Sequence, residues 1–183
     1  MRKPLLFNPC TVLALFLFSV ALFTGCDDSS SSSEGSVVST TKPDGWTRKE
    51  NYPLTTGVSA TYVDFAPPAS NFSANVILMI NPSSGQSPAS AVAEGVSQLQ
   101  TNPNFANFSI DSSSVATIGG KEGFRVQFRY SQSVNGTWYS LLQRQLLVVN
   151  KGMDCQLVLT RLQSDSLVGA TAFRAIEASI RLE

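Results

Sequence analysis

The chain has 183 residues, with 13 Lys and Arg against 13 Asp and Glu, and it contains no histidine. That charge balance excludes the basic field a nucleic-acid partner needs. The missing imidazole excludes Ser-His and Cys-His catalysis and removes the commonest metal ligand.

The chain opens on a short basic stretch, Met1-Arg2-Lys3, followed by an almost unbroken apolar segment from Val12 to Phe23. That segment is shorter than the roughly 20 residues a spanning helix requires, and it has the length of the apolar region of an export signal. It ends at Phe23-Thr24-Gly25-Cys26, which resembles the lipobox of bacterial lipoproteins, where a diacylglyceryl group is joined to the cysteine and the chain is cut just before it. The resemblance implies a signal peptide over residues 1–25, lipidation at Cys26 and a membrane partner held through that lipid. Two or three acyl chains, at about 0.8 kcal/mol per buried methylene, anchor a protein durably where one does not. Asp27 and Asp28 are similar to the retention signal of enteric lipoproteins. They favour the inner membrane facing the periplasm, with the outer membrane or a Gram-positive cell membrane as alternatives.

Residues 26–44, with the serine run Ser29 to Ser33, carry too little apolar content to offset the entropy of ordering and are expected to form a disordered linker. A flexible chain of that length has a span of about 20–25 Å. Cleavage before Cys26 removes Arg2 and Lys3, so Lys plus Arg falls from 13 to 11 and the formal charge becomes −2. Cys10 leaves with the signal, and Cys155 alone remains in the domain, so no intramolecular disulfide forms there.

The remainder, residues 45–183, has the length of one domain. Trp46–Tyr52 and Ser59–Phe65 are predicted strands, and Asn75–Ile80 (NVILMI) is an apolar run suited to a central strand. Pro88 opens a predicted helix over Ser87–Gln100, with Ala91, Val92, Val96 and Leu99 as its stripe. Phe108–Val115 is a strand, and Gly119-Gly120 a turn. Lys121–Ser131 and Thr137–Asn150 flank Asn135-Gly136, a dipeptide that favours a tight hairpin. Lys151-Gly152 turns into a strand over Asp154–Arg161. A closing helix from Asp165 or Ser166 to Ile180 places Leu167, Ala170, Phe173, Ile176 and Ile180 on one stripe.

Antiparallel strands with one helix inserted and one at the end give an α+β class. Gly45-Trp46, Asn51-Tyr52-Pro53, the run Ala74 to Pro82, the strand from Gly119 to Tyr130 and the closing Phe173 to Leu182 together resemble the PsbP/Mog-type fold, also found in DcrB-like and LpqN-type bacterial lipoproteins. The resemblance implies an antiparallel β-sheet flanked by helices on both faces, an α/β/α sandwich. It also implies a binding or assembly role with a protein partner, no enzymatic activity and no shared catalytic set.

The residues are consistent with that. No glycine-rich phosphate loop, nucleophile elbow or metal-spaced carboxylate cluster is present, so no catalytic residue, metal site or cofactor is assigned. Cys155, in the apolar stretch CQLVL, is expected to be a buried inert thiol. On the strand after Gly119-Gly120, Phe124, Val126, Phe128 and Tyr130 share one face while Arg125, Gln127 and Arg129 share the other. A two-residue turn at Asn135-Gly136 sets Arg144 opposite Gln127. Arg125, Arg129 and Arg144 are therefore the candidate partner-binding residues, as an anion or acidic-partner site, with a solvated sheet face or arginine stems packed under a helix as the alternatives. The chain is expected to be monomeric and not to bind nucleic acid. The alternative reading is an envelope hydrolase or transferase built from carboxylates, Ser or Lys.

Overall fold

A computed structural model describes residues 37–55, 58–68, 72–134, 136–165 and 168–183. The expected signal, Cys26, Asp27, Asp28, the serine run and Asn135 lie outside the described residues.

The main body is a seven-stranded antiparallel sheet of order β2-β3-β4-β8-β7-β6-β5, built from β2 (Thr47–Thr55), β3 (Val58–Phe65), β4 (Asn75–Pro82), β5 (Phe105–Ile118), β6 (Lys121–Val134), β7 (Thr137–Asn150) and β8 (Met153–Leu162). After β4 the chain passes through helix α1 (Pro88–Thr101) to the far edge at β5, then winds back until β8 closes beside β4. The apolar run of β4 is buried on both faces, as a central strand requires: Val76 and Leu78 join one core cluster, Ile77 and Met79 another.

Helix α1 starts where Ser87 Oγ accepts the Ser90 backbone N–H and Pro88 takes the first turn. Its buried stripe is Val92, Gly95, Val96 and Leu99, and it lies over β5, β6 and β7. Phe72, Val126, Phe128, Tyr130, Leu141 and Leu147 complete that cluster. Helix α2 (Val168–Ser179) covers the opposite face through Phe173 and Ile176, packing with Val76, Leu78, Leu146, Leu157 and Leu159. The sheet thus carries a helix on each face, as expected.

Two departures from the sequence reading concern the ends of the domain. The expected linker does not extend to Asp44: from Val37 onward the chain is part of the fold. β1 (Val38–Ser39) pairs antiparallel with β9 (Arg181–Leu182), a strand beyond the predicted closing helix that the sequence pattern does not reveal. Val38 is buried beside Ile118 and Ile180. The Val37 carbonyl accepts from Asn150 Nδ2 at 2.7 Å and from the Glu183 backbone N–H at 3.3 Å. Thr40 Oγ1 meets the Tyr62 hydroxyl, and the Thr41 N–H donates to Ser179 Oγ at 2.8 Å. The polar composition of residues 26–44 as a whole obscures this short apolar hook.

The Gly119-Gly120 turn is one place where glycine is structurally required. Both residues have positive φ, 56° and 88°, and a Cβ on Gly119 would stand 2.7 Å from Leu182 Cγ in β9. A bulkier turn would push away the strand that holds β1.

Candidate functional site

The arginines singled out from the sequence come together on the α2 face. Arg144 pairs with Gln127 across β6 and β7, as the two-residue turn required, and Arg125 and Arg129 flank Gln127 on the same strand. Arg144 Nη1 donates to Glu177 Oε1 of α2 at 2.8 Å, and its Nε and Nη2 donate to Gln127 Oε1 at 3.2 and 2.8 Å. Gln127 Nε2 in turn donates to Asp111 Oδ2 at 3.3 Å, and Arg129 Nε donates to Asp111 Oδ1 at 2.8 Å. Arg125 Nη2 lies 3.4 Å from the second Glu177 oxygen.

The result is a continuous polar chain running Glu177–Arg144–Gln127–Asp111–Arg129 along the sheet beside α2. Three guanidiniums meet two carboxylates, leaving one positive charge in excess. Its outer members are the open ones: the side chains of Arg129 and Arg125 are 51% and 39% exposed, against 26% for Arg144. Arg161, opposite Leu142 on the same face, has its pKa lowered, first by burial and also by Arg144, with Asp165 opposing. Glu177 and Asp111, which set the chain's geometry, were not identified from sequence.

A second polar feature lies on the opposite face, and sequence reasoning missed it. Asn75 of β4, Thr160 of β8 and Gln143 of β7 stand side by side across three central strands, and Gln145 follows Gln143 on the same face of β7. All four residues are fully buried. Asn75 Oδ1, Thr160 Oγ1 and both amide ends of Gln143 and Gln145 have no hydrogen-bond partner among the described residues. Each such group costs about 1–3 kcal/mol when closed away from water without a partner. Their directly opposed neighbours, Phe65, Phe128, Val126 and Val158, are all apolar. The row separates the cluster under α1 from a second cluster of Leu54, Ala60, Val63, Ile77, Met79 and Val158. The available signal was Gln143-Arg144-Gln145, polar on both faces in the middle of a central apolar strand.

Cys155 is a buried free thiol. Burial pushes it up to about 11, with Asp154 adding and Lys121 opposing, so it is protonated and unreactive near neutrality.

No protein-family model matches the chain. No curated protein matches it. Among solved structures, it resembles LpqN of Mycobacterium tuberculosis, described as involved in cell envelope biogenesis, at 18% identity and a TM-score of 0.56, covering 79% of this chain and 82% of that one. It also resembles the cyanobacterial PsbP (CyanoP) of Synechocystis at 11% identity and a TM-score of 0.51, covering 85% of this chain and 98% of that one. The chain therefore has the PsbP/LpqN-type α+β fold.

Proposed function

We propose that this chain is a lipid-anchored, non-enzymatic binding or assembly factor of the bacterial cell envelope, monomeric and held at Cys26 on the periplasmic side of the inner membrane. The polar chain beside α2 carries the reading. Its half-exposed arginines offer planar, multi-donor heads to an acidic protein partner, and the surplus positive charge sits at the solvent-facing edge. The fold shared with LpqN, a protein of cell envelope biogenesis, supports the envelope assignment. The lipobox-like Cys26 supports the anchor. The reading assigns no residue to chemistry, in keeping with a chain that lacks histidine and buries its domain cysteine.

Two measurements test it. Intact mass of the membrane-extracted protein should show loss of residues 1–25 and addition of acyl mass at Cys26, with Cys26→Ser left as an uncut precursor. An unmodified amino terminus downstream of Cys26 rejects the anchor. Crosslinking in the native membrane should return a stoichiometric protein partner that Arg125→Gln/Arg129→Gln loses at an unchanged thermal midpoint. Undiminished crosslinking in that variant rejects this surface.

A further inference from the structure

We infer that the buried row of Asn75, Thr160, Gln143 and Gln145 is a binding site for a small uncharged molecule bearing hydroxyl and amide groups. The inference stands apart from the arginine surface, which lies on the other face of the sheet.

A folded protein leaves few buried polar atoms without a partner, and those it leaves call for a specific explanation. Here six such atoms are contiguous. Asn75 and Gln143 flank Thr160, so the row spans two interstrand spacings, about 10 Å, and Gln145 extends it along β7 by about 7 Å. A sugar-sized guest can bridge neighbouring members of the row, and a small amide can pair with one of them. The atoms also define its chemistry. Asn75 Oδ1 accepts, the two glutamine amides both donate and accept, and the Thr160 hydroxyl does either. A complementary guest must therefore supply donors and acceptors together.

Charge is excluded by the surroundings. The residues directly opposite the row are Phe65, Phe128, Val126 and Val158. An ion seated there would lose its hydration with no counter-charge to replace it. A neutral polar guest satisfies the amides, while the flanking rings of Phe65 and Phe128 provide apolar contact. Because the row is closed to solvent, binding requires that face to open. Such opening exposes the unsatisfied amides to water, which offsets part of its cost.

The test uses saturation-transfer NMR on the detergent-solubilised full chain, with N-acetylglucosamine and acetamide as neutral probes and cationic glucosamine as the charge control. Both neutral probes should give signal and glucosamine none. Gln143→Leu/Gln145→Leu should reduce the neutral signals at least fivefold while its thermal midpoint equals or exceeds that of the wild type, because apolar replacement of unsatisfied amides removes a penalty. Thr160→Val provides a second, near-isosteric variant with the same expectation if the double variant fails to fold. The inference is overturned by absence of signal from both neutral probes, by equal signal in variant and wild type, or by lowered midpoints in both variants, which would show the amides already satisfied by ordered waters or by each other.

Discussion

Arg48 and Asp64, directly opposed on β2 and β3, form a two-point ion pair: Nε and Nη2 of the guanidinium each donate to the carboxylate at 2.8 Å. Asp64 is fully buried, whereas a quarter of the Arg48 side chain remains exposed. The same guanidinium lies 3.8 Å from the centroid of the Tyr62 ring. Its pKa is raised chiefly by the bond to Asp64, against the opposing effect of burial.

This asymmetry sets the first prediction. Arg48→Ala strands a buried carboxylate and should cost about 3 kcal/mol. Asp64→Ala leaves a guanidinium that can turn to water and should cost about 1–2 kcal/mol. Arg48→Lys should recover less than half of the Arg48→Ala loss, because an ammonium lacks the planar fork. Urea unfolding midpoints decide the ranking, and equal costs for the two alanine variants would contradict it.

Glu177 is shared between two arginines, at 2.8 Å from Arg144 and 3.4 Å from Arg125. A double-mutant cycle should give about 1 kcal/mol of coupling for Arg144 with Glu177 and about 0.2 kcal/mol for Arg125 with Glu177, the longer and more exposed pair. The reverse order would mean that Arg125, not Arg144, holds α2 to the sheet.

Cys155 predicts a pH dependence. Its thiol is held at about 11 against an ordinary value of 9.0, so between those values the folded chain keeps a proton that the unfolded chain releases. The stabilisation is complete below pH 9 and declines as pH rises toward 11, by roughly 2 kcal/mol. Comparing wild type with Cys155→Ala across pH 8–11 should show the wild-type advantage shrinking. Parallel curves would refute the assignment. At pH 8 the native thiol should resist iodoacetamide until the chain is denatured.

For membrane placement, Asp27→Ser should shift the protein toward the outer membrane in fractionation of a host with the enteric sorting rule. Identical placement of variant and wild type would remove the basis for an inner-membrane address.

Most of the sheet was legible because its central strands follow simple patterns. Asn75 to Ile80 is apolar on both faces, and the Asn135-Gly136 spacing fixed the Gln127–Arg144 register. The edges were harder to read. β5 begins at Phe105 rather than Phe108, because Asn107 has positive φ and register shifts at Ala106/Ser109 and Ile110/Ser112 break the two-residue period. β2 runs past Pro53, which an edge strand tolerates. β1 and β9 have two residues each, too few to show any period. The partners of the arginine chain were hidden for a different reason: Glu177 lies 33 residues from Arg144 and Asp111 lies 18 from Arg129. The amide row was hidden because glutamine normally reads as surface, and only the neighbouring strands show that it points inward.

The hold on Val37 also has a mechanical meaning. Asn150, at the end of central strand β7, grips the Val37 carbonyl and donates through the same amide to the Glu183 carbonyl at 3.2 Å. Tension applied through the proposed anchor therefore reaches an interior strand before it can peel either edge of the sheet. The exposed Trp138, near the opposite end of β7, lies remote from that load path.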